Sequence, residues 1–326
     1  MTRSRLVRVG LTLAVTAGCL TYLLWQLDVR RTLHILVNAD IAWFLGAVAV
    51  MALGVPPMAW RWQRLLRARG IVERLGWLNR AYFVSYTAGQ VLPTAVGGDA
   101  SRVYETARRH PGRLGDLTAI VVLERALGGV ATLALAAVGF ALAIGRYDVG
   151  AYVWIELTFV VGTLVLGVVF FSRAARMPLR RFLPLLRRLR LERPLRAFYF
   201  GVHAFRGHMR LMLGVLALTL VVQAYRVLAI WMTGRAVGVD LSPRPYYVMG
   251  PLLFLVMLVP FTINGLAVRE AFFVSFLTQL GVDKESALAT GFLFFVVTIV
   301  LALPGAVVLA VENLRGLPRP RAPELR

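Results

Sequence analysis

The chain has a single cysteine, Cys19, so it forms no intrachain disulfide, and cysteine usage is silent on redox compartment. No Gly-x4-Gly-Lys-Ser/Thr run is present, which argues against nucleotide hydrolysis by this chain and leaves any uphill work to an ion gradient. Histidines are four, His34, His110, His203 and His208, at loops or loop edges without HExxH or similar spacing, so neither a metal site nor a cofactor is expected. Negative charge is scarce, with 16 acidic residues against 37 basic and a net charge of +21. Such a balance could point to nucleic acid. The basic residues, however, stand in blocks between apolar runs instead of interleaving with aromatics on a polar surface, which removes nucleic acid from the expected partners.

Apolar sequence dominates what is present. Hydrophobic residues make up 59% of the chain and charged residues 16%, a balance foreign to water-soluble domains. Six stretches reach the ~20 residues that cross ~30 Å of hydrocarbon: Val9–Leu27, Ile41–Trp60, Leu117–Gly145, Ala151–Phe171 (broken only by Glu156), Leu211–Gly234 and Ala287–Val311. Of the basic residues, 28 fall on one side if the N-terminus is cytoplasmic: the first few residues, the Arg61–Arg80 and Arg102–Arg113 segments, Arg173–Arg210 and the Arg315–Arg326 tail. Six fall on the other side (Arg30, Arg31, Arg146, Arg235, Arg244, Lys284), which satisfies the positive-inside rule with both termini in the cytoplasm. Arg125, Arg226 and Arg269 belong to neither group and lie within apolar segments.

A short pattern, Pro-x4-Gly-x3-Arg, occurs once in each half: Pro93 to Gly98 and Arg102, then Pro260 to Gly265 and Arg269. Proline and glycine break a membrane helix and free backbone groups that need partners, and paired breaks in corresponding halves point to a transport site. Three spans per half is odd, so two such halves must be inverted. The expected architecture is all-α and integral to the membrane, with six transmembrane helices and two re-entrant helical hairpins, the second at 246–281. A first repeat would cover 1–145, a second inverted repeat 146–314, and a basic cytoplasmic tail 315–326. The plainer reading of 246–281 is a pair of ordinary helices.

The turns carry local chemistry. Asp99, after Gly97-Gly98, and Asn264, before Gly265, are residue types that cap a helix restarting inside the membrane. Arg102 and Arg269 then sit in the first turn, against the helix dipole, and call for an anion or a carboxylate. Glu124-Arg125 and Arg269-Glu270 are adjacent pairs. Neighbours on a helix do not face each other, so their partners are expected on other helices. Arg226, beside Gln223 and Tyr225, is a further intramembrane cation. These residues read either as headgroup contacts, with Asp99, Glu124 and Glu270 balancing charge or carrying protons, or as structural ion pairs.

The run Gly89-Gln90-Val91-Leu92-Pro93 through Gly97-Gly98-Asp99 and Arg102, then Val122-Leu123-Glu124-Arg125, then Asn264-Gly265-Leu266-Ala267-Val268-Arg269-Glu270-Ala271 resembles the membrane domain of lysylphosphatidylglycerol synthase/flippase proteins and their stand-alone relatives. The likeness covers nearly the whole chain. It implies a flippase-like membrane part that handles phospholipids or polyprenyl-phosphate-linked sugars, without the aminoacyl-transfer domain. Two positions depart from the family pattern: Gln90 replaces the usual asparagine or serine, and Leu266-Ala267 stands where glycine is common.

Other features are weaker. Gly98-Asp99-Ala100-Ser101-Arg102 is partly similar to membrane alcohol phosphotransferases but lacks their downstream aspartates, so no enzyme activity is expected. Thr16-Ala17-Gly18-Cys19 approaches a lipoprotein cleavage box, yet the apolar run continues past it and Cys19 reads as a small packing residue. Arg173–Arg210 and Trp62–Trp77 have the pattern of basic amphipathic segments on an anionic leaflet, or of plain positive-inside loops. The expected function is translocation of an anionic phospholipid or lipid-linked envelope precursor across the plasma membrane. The rival reading is a scaffold for an envelope-lipid synthase or glycosyltransferase. Such an enzyme, the bilayer and a second copy of this chain are the remaining candidate partners.

Overall fold

A computed structural model describes residues 28–91, 97–143, 154, 161, 207–257 and 267–314. The expected span Val9–Leu27, the span Ala151–Phe171 apart from Trp154 and Val161, the segment 173–206, the tail 315–326, Cys19, and the turn residues Pro93, Pro260, Asn264 and Gly265 lie outside the described residues.

Ten helices occur among the described residues: α1 (Val29–Val37), α2 (Ile41–Leu53), α3 (Val55–Arg67), α4 (Leu75–Val91), α5 (Gly97–Arg109), α6 (Leu114–Ala143), α7 (Met209–Ala236), α8 (Arg244–Val256), α9 (Val268–Gln279) and α10 (Lys284–Leu314). Four are long and apolar enough to cross a membrane: Ile41–Arg67, in which α2 runs into α3, Leu114–Leu142, Met209–Ala236 and Lys284–Leu314. Helices suit this solvent because every interior backbone donor finds its acceptor within the same segment.

Local sequence sets the boundaries. Asp40 caps α2, its carboxylate accepting from the Ala42 N–H at 2.8 Å. Pro56 and Pro57 stand in the first turn of α3, where a missing N–H breaks no helical bond, so the chain turns at Gly54 and continues at once as helix. Four of the other helices are shorter. α4, α5, α8 and α9 hold 17, 13, 13 and 12 residues, or about 18 to 26 Å each, less than the ~30 Å of hydrocarbon. They flank the two Pro/Gly breaks in pairs, α4/α5 and α8/α9.

Packing is reciprocal. α4 lies on α10, the long helix that follows the second break, and α8 lies on α6, the long helix that follows the first. α7 joins the groups by packing on α2, α6, α8 and α10. Both crossings rest on a glycine. A Cβ on Gly139 of α6 would stand 2.1 Å from the Tyr247 carbonyl oxygen of α8, and one on Gly305 of α10 would stand 2.1 Å from the Phe83 carbonyl oxygen of α4. Small residues at these points let the backbones touch, the usual route to helix association in lipid.

The two ends of the bundle hold different charges together. At one end the Asp40 N–H donates to the Ala236 carbonyl at 2.8 Å, which makes α2 and α7 antiparallel, and the Arg235 guanidinium covers the Trp43 ring. At the other, Arg80 bridges Glu105, at 3.2 Å, and Glu312. The Trp62–Trp77 stretch is not a surface-lying segment. It divides between the end of α3, a connection and the start of α4, and Trp62 is fully buried against Tyr82, because its ring fills the angle between those helices.

Gly139→Ala and Gly305→Ala each force two backbones apart and are expected to cost about 1–3 kcal/mol or more. Gly128→Ala has open space around its Cβ and is expected to be neutral or slightly stabilising. Thermal unfolding in detergent measures the difference; equal melting points for the three variants would remove the close-contact account.

Candidate functional site

The second glycine of the first break sets the geometry of the site. A Cβ on Gly98 would lie 2.7 Å from the Ser85 carbonyl oxygen, so only glycine lets α5 approach α4 here. That approach aims Arg102, one turn on, between two rings. Its guanidinium carbon stands 3.9 Å from the Trp62 ring centre and 4.5 Å from that of Tyr82. Arg102 donates to Glu124 at 2.7 Å, to Asp99 at 3.1 Å and to the Tyr82 hydroxyl oxygen.

Glu124 is the hub. Its carboxylate also accepts from Arg61 Nη2 at 3.1 Å and Nε at 3.2 Å, while Arg61 Nη1 donates to the Thr219 hydroxyl of α7 at 2.8 Å. Asp99 reaches outward to Arg125, at 2.7 Å. Side chains of α3, α4, α5, α6 and α7 thus form one network holding three arginines and two carboxylates, which leaves it positive by one charge.

The second break is simpler. Arg269 stacks over Phe295 at 4.6 Å and donates from Nε to Glu270 at 2.9 Å. The other Glu270 oxygen accepts from the Ala267 N–H at 2.7 Å, a reach back over the helix start, with no acceptor on Ala267 to answer it. Three expectations need correction. Arg269 and Glu270 pair with each other although adjacent, because Glu270 folds back over the first turn and the long guanidinium curls to meet it. The N-cap of α9 is Ala267 and not Asn264, and it holds a positive φ of 70°. Asp99 is not a cap either: it stands third in α5, where its carboxylate serves Arg102 and Arg125. Glu124 and Arg125 do turn to different partners on other helices, as their spacing requires.

Arg226 lies apart. Among the described residues no carboxylate pairs with it. Nη1 reaches the Gln223 side-chain oxygen at 3.4 Å, the guanidinium covers the Phe254 ring at 4.4 Å, and Nε has no hydrogen-bond partner. Tyr86 stands within electrostatic reach of Arg226, Arg102, Arg61 and Asp99, so the lone cation and the network border the same polar zone.

Sequence reading missed Arg61, Trp62, Tyr82 and Thr219. Arg61 was assigned to a basic loop, yet it is buried in α3, on the stripe that also buries Ala59, Trp62, Leu65 and Leu66. Its spacing within that stripe, unlike that of exposed Arg64 and Arg67, is the signal that could have found it.

A multi-pass all-helical membrane protein, with a charged network set into its interior beside the short helices α4 and α5, is the class these features define. The chain belongs to the family described as the lysylphosphatidylglycerol synthase TM region, whose model matches residues 9–305. Over 147 residues, 43% of this chain, it is 33% identical to glycosyltransferase AglD of Haloferax volcanii, and the match spans only 23% of that protein.

Glu124→Gln leaves two buried guanidiniums short of a counter-charge and is expected to cost about 3 kcal/mol or more, whereas Arg125→Gln breaks a pair whose cation is 39% exposed and is expected to cost under about 1 kcal/mol. Melting points in one detergent rank the two, and a harsher effect at Arg125 would contradict the hub. Ala267→Gly relieves the positive φ and is expected to stabilise by about 1 kcal/mol, read in the same assay.

Proposed function

We propose that the protein moves an anionic phospholipid or polyprenyl-phosphate-linked precursor between leaflets of the plasma membrane, without converting it chemically. The observation that carries this reading is the contrast among the intramembrane arginines. Arg102, Arg125 and Arg269 each pair with a carboxylate, while Arg226 pairs with none among the described residues. A charged group at this depth is costly unless something neutralises it, and a lipid phosphate is the anion this environment supplies. Arg226 is therefore the phosphate contact, with Gln223 beside it. Arg102 and Arg269, locked by their own acids, hold the two helix breaks in shape.

The short pairs α4/α5 and α8/α9 are read as re-entrant hairpins of two inverted repeats. Their reciprocal packing on α10 and α6, each through a glycine, supports that symmetry. Six spans, with the arginine-rich end and both termini in the cytoplasm, complete the arrangement. Family membership supports a lipid substrate. A scaffold for a membrane glycosyltransferase is the second reading, favoured by the likeness to the AglD segment.

Liposomes carrying fluorescent phosphatidylglycerol, lysylphosphatidylglycerol or a polyprenyl phosphate separate the two. Wild type is expected to exchange at least one class between leaflets, Arg226→Gln to lose about tenfold or more of that rate, and Arg226→Lys to keep part of it as a point charge. Absence of exchange for every lipid, with and without a proton gradient, would favour the scaffold.

A further inference from the structure

The arginine-rich end of the bundle holds a cleft of about 960 Å³ between α4, α5 and the last turns of α10. Its floor reaches Ala88 and Ser101, beside the first helix break, and Ser101 donates back to the Gly98 carbonyl at 2.8 Å. Two aromatic rings stand in its wall, each backed by a guanidinium: Tyr104 by Arg108 at 5.5 Å and Trp77 by Arg109 at 4.8 Å. Arg109 is also held by Glu73, 2.6 Å from its Nε. Arg108 forms no direct ion pair among the described residues, although the Glu105 carboxylate lies within its electrostatic reach. The two acids of the wall, Glu105 and Glu312, share Arg80, and burial pushes the Glu105 carboxyl above the ordinary carboxylate range, with Arg80 pulling it back.

These groups select a chemistry. Glu105 and Glu312 share the single Arg80 guanidinium, and their remaining lone pairs suit hydroxyl donors. Arg108, in no direct ion pair among the described residues, offers a cation for phosphate. The volume is near the upper end of small-ligand sites, roughly 300–1,000 Å³, and far exceeds one phosphate group. Ring faces beside hydroxyl and carboxylate groups bind the apolar C–H face and the hydroxyl rim of a sugar.

We propose that this cleft recognises the headgroup of a lipid-linked sugar, Tyr104 and Trp77 packing on the sugar ring and Arg108 holding its phosphate. This deepens the translocation reading by naming the class of cargo and the place where it is first bound, on the side that the charge distribution assigns to the cytoplasm.

Calorimetric titration of the full chain in detergent tests it with farnesyl phosphoryl glucose, farnesyl phosphate and a short-chain phosphatidylglycerol. Wild type is expected to bind the glucosyl lipid about tenfold more tightly than farnesyl phosphate. Tyr104→Ala and Trp77→Ala should each erase that difference, Tyr104→Phe should keep it, and Arg108→Ala should weaken both phosphates alike, with melting points confirming that each variant is folded. Equal affinity for the glucosyl lipid and farnesyl phosphate, a preference that survives both ring deletions, or no binding of either would overturn the proposal. The readout is independent of leaflet exchange: sugar-dependent binding without exchange would sink translocation alone, and exchange without sugar-dependent binding would sink this inference alone.

Discussion

A carboxylate far from water must be matched or protonated, and Glu124 is matched twice. Two guanidiniums, from α3 and α5, converge on one carboxylate from α6, and the first of them continues to a hydroxyl on α7. Removing water from such groups costs several kcal/mol apiece, so they are tolerable only when all are in place together. The network therefore dictates where α3, α5 and α6 meet, how closely α5 must approach α4, and why glycine stands at position 98. It also fixes Trp62 and Tyr82, whose rings sandwich the Arg102 guanidinium and exclude other partners.

That arrangement divides labour among residues of one type. Guanidiniums paired with acids act as struts: Arg61 and Arg102 tie α3 and α5 to α6 through Glu124. Arg226, paired with no carboxylate among the described residues, stands on the central helix α7, which touches both packing groups. Rigid support around a lone polar contact is a familiar organisation for binding sites in membranes, where irregular backbone persists only beside protein or a polar cavity. The cleft at the arginine-rich end continues the pattern: two acids sharing Arg80, rings backed by arginines, and Arg108 in no direct ion pair among the described residues.

Much of this was legible in the sequence, for particular reasons. The long helices announce themselves because uninterrupted apolar runs have no other stable form in lipid, and α6, α7 and α10 start and stop within a few residues of the stretches read for them. That α4 ends and α5 begins around Pro93 and Gly98 was legible from those residue types, although proline alone is not decisive, since Pro251 and Pro304 lie inside α8 and α10. Arg102, Glu124, Arg125, Arg269 and Glu270 were visible as charges in greasy surroundings. Their pairing was not, because contacts such as Arg61 with Glu124 join residues 63 positions apart, and no local period encodes them. The Arg269–Glu270 pair defeated a rule that holds in mid-helix but fails in a first turn, where side chains fold back over the end. Arg61 hid among the arginines that mark topology, betrayed only by its place on a buried stripe.

The reciprocal crossing of α4 on α10 and α8 on α6 also bears on biosynthesis. The first helix pair finds its packing surface on a helix near the far end of the chain, about 200 residues after the pair itself has left the ribosome. At ordinary synthesis rates that delay is roughly 10–40 s. During it the Gln90 amide lacks Thr298, and the Thr87 hydroxyl, which also reaches the Phe83 carbonyl of its own helix at 3.2 Å, lacks the Ala302 carbonyl of α10. The nascent first half is thus a natural client for insertion machinery or a membrane chaperone, which must shelter its polar face until the last helix arrives to complete the fold.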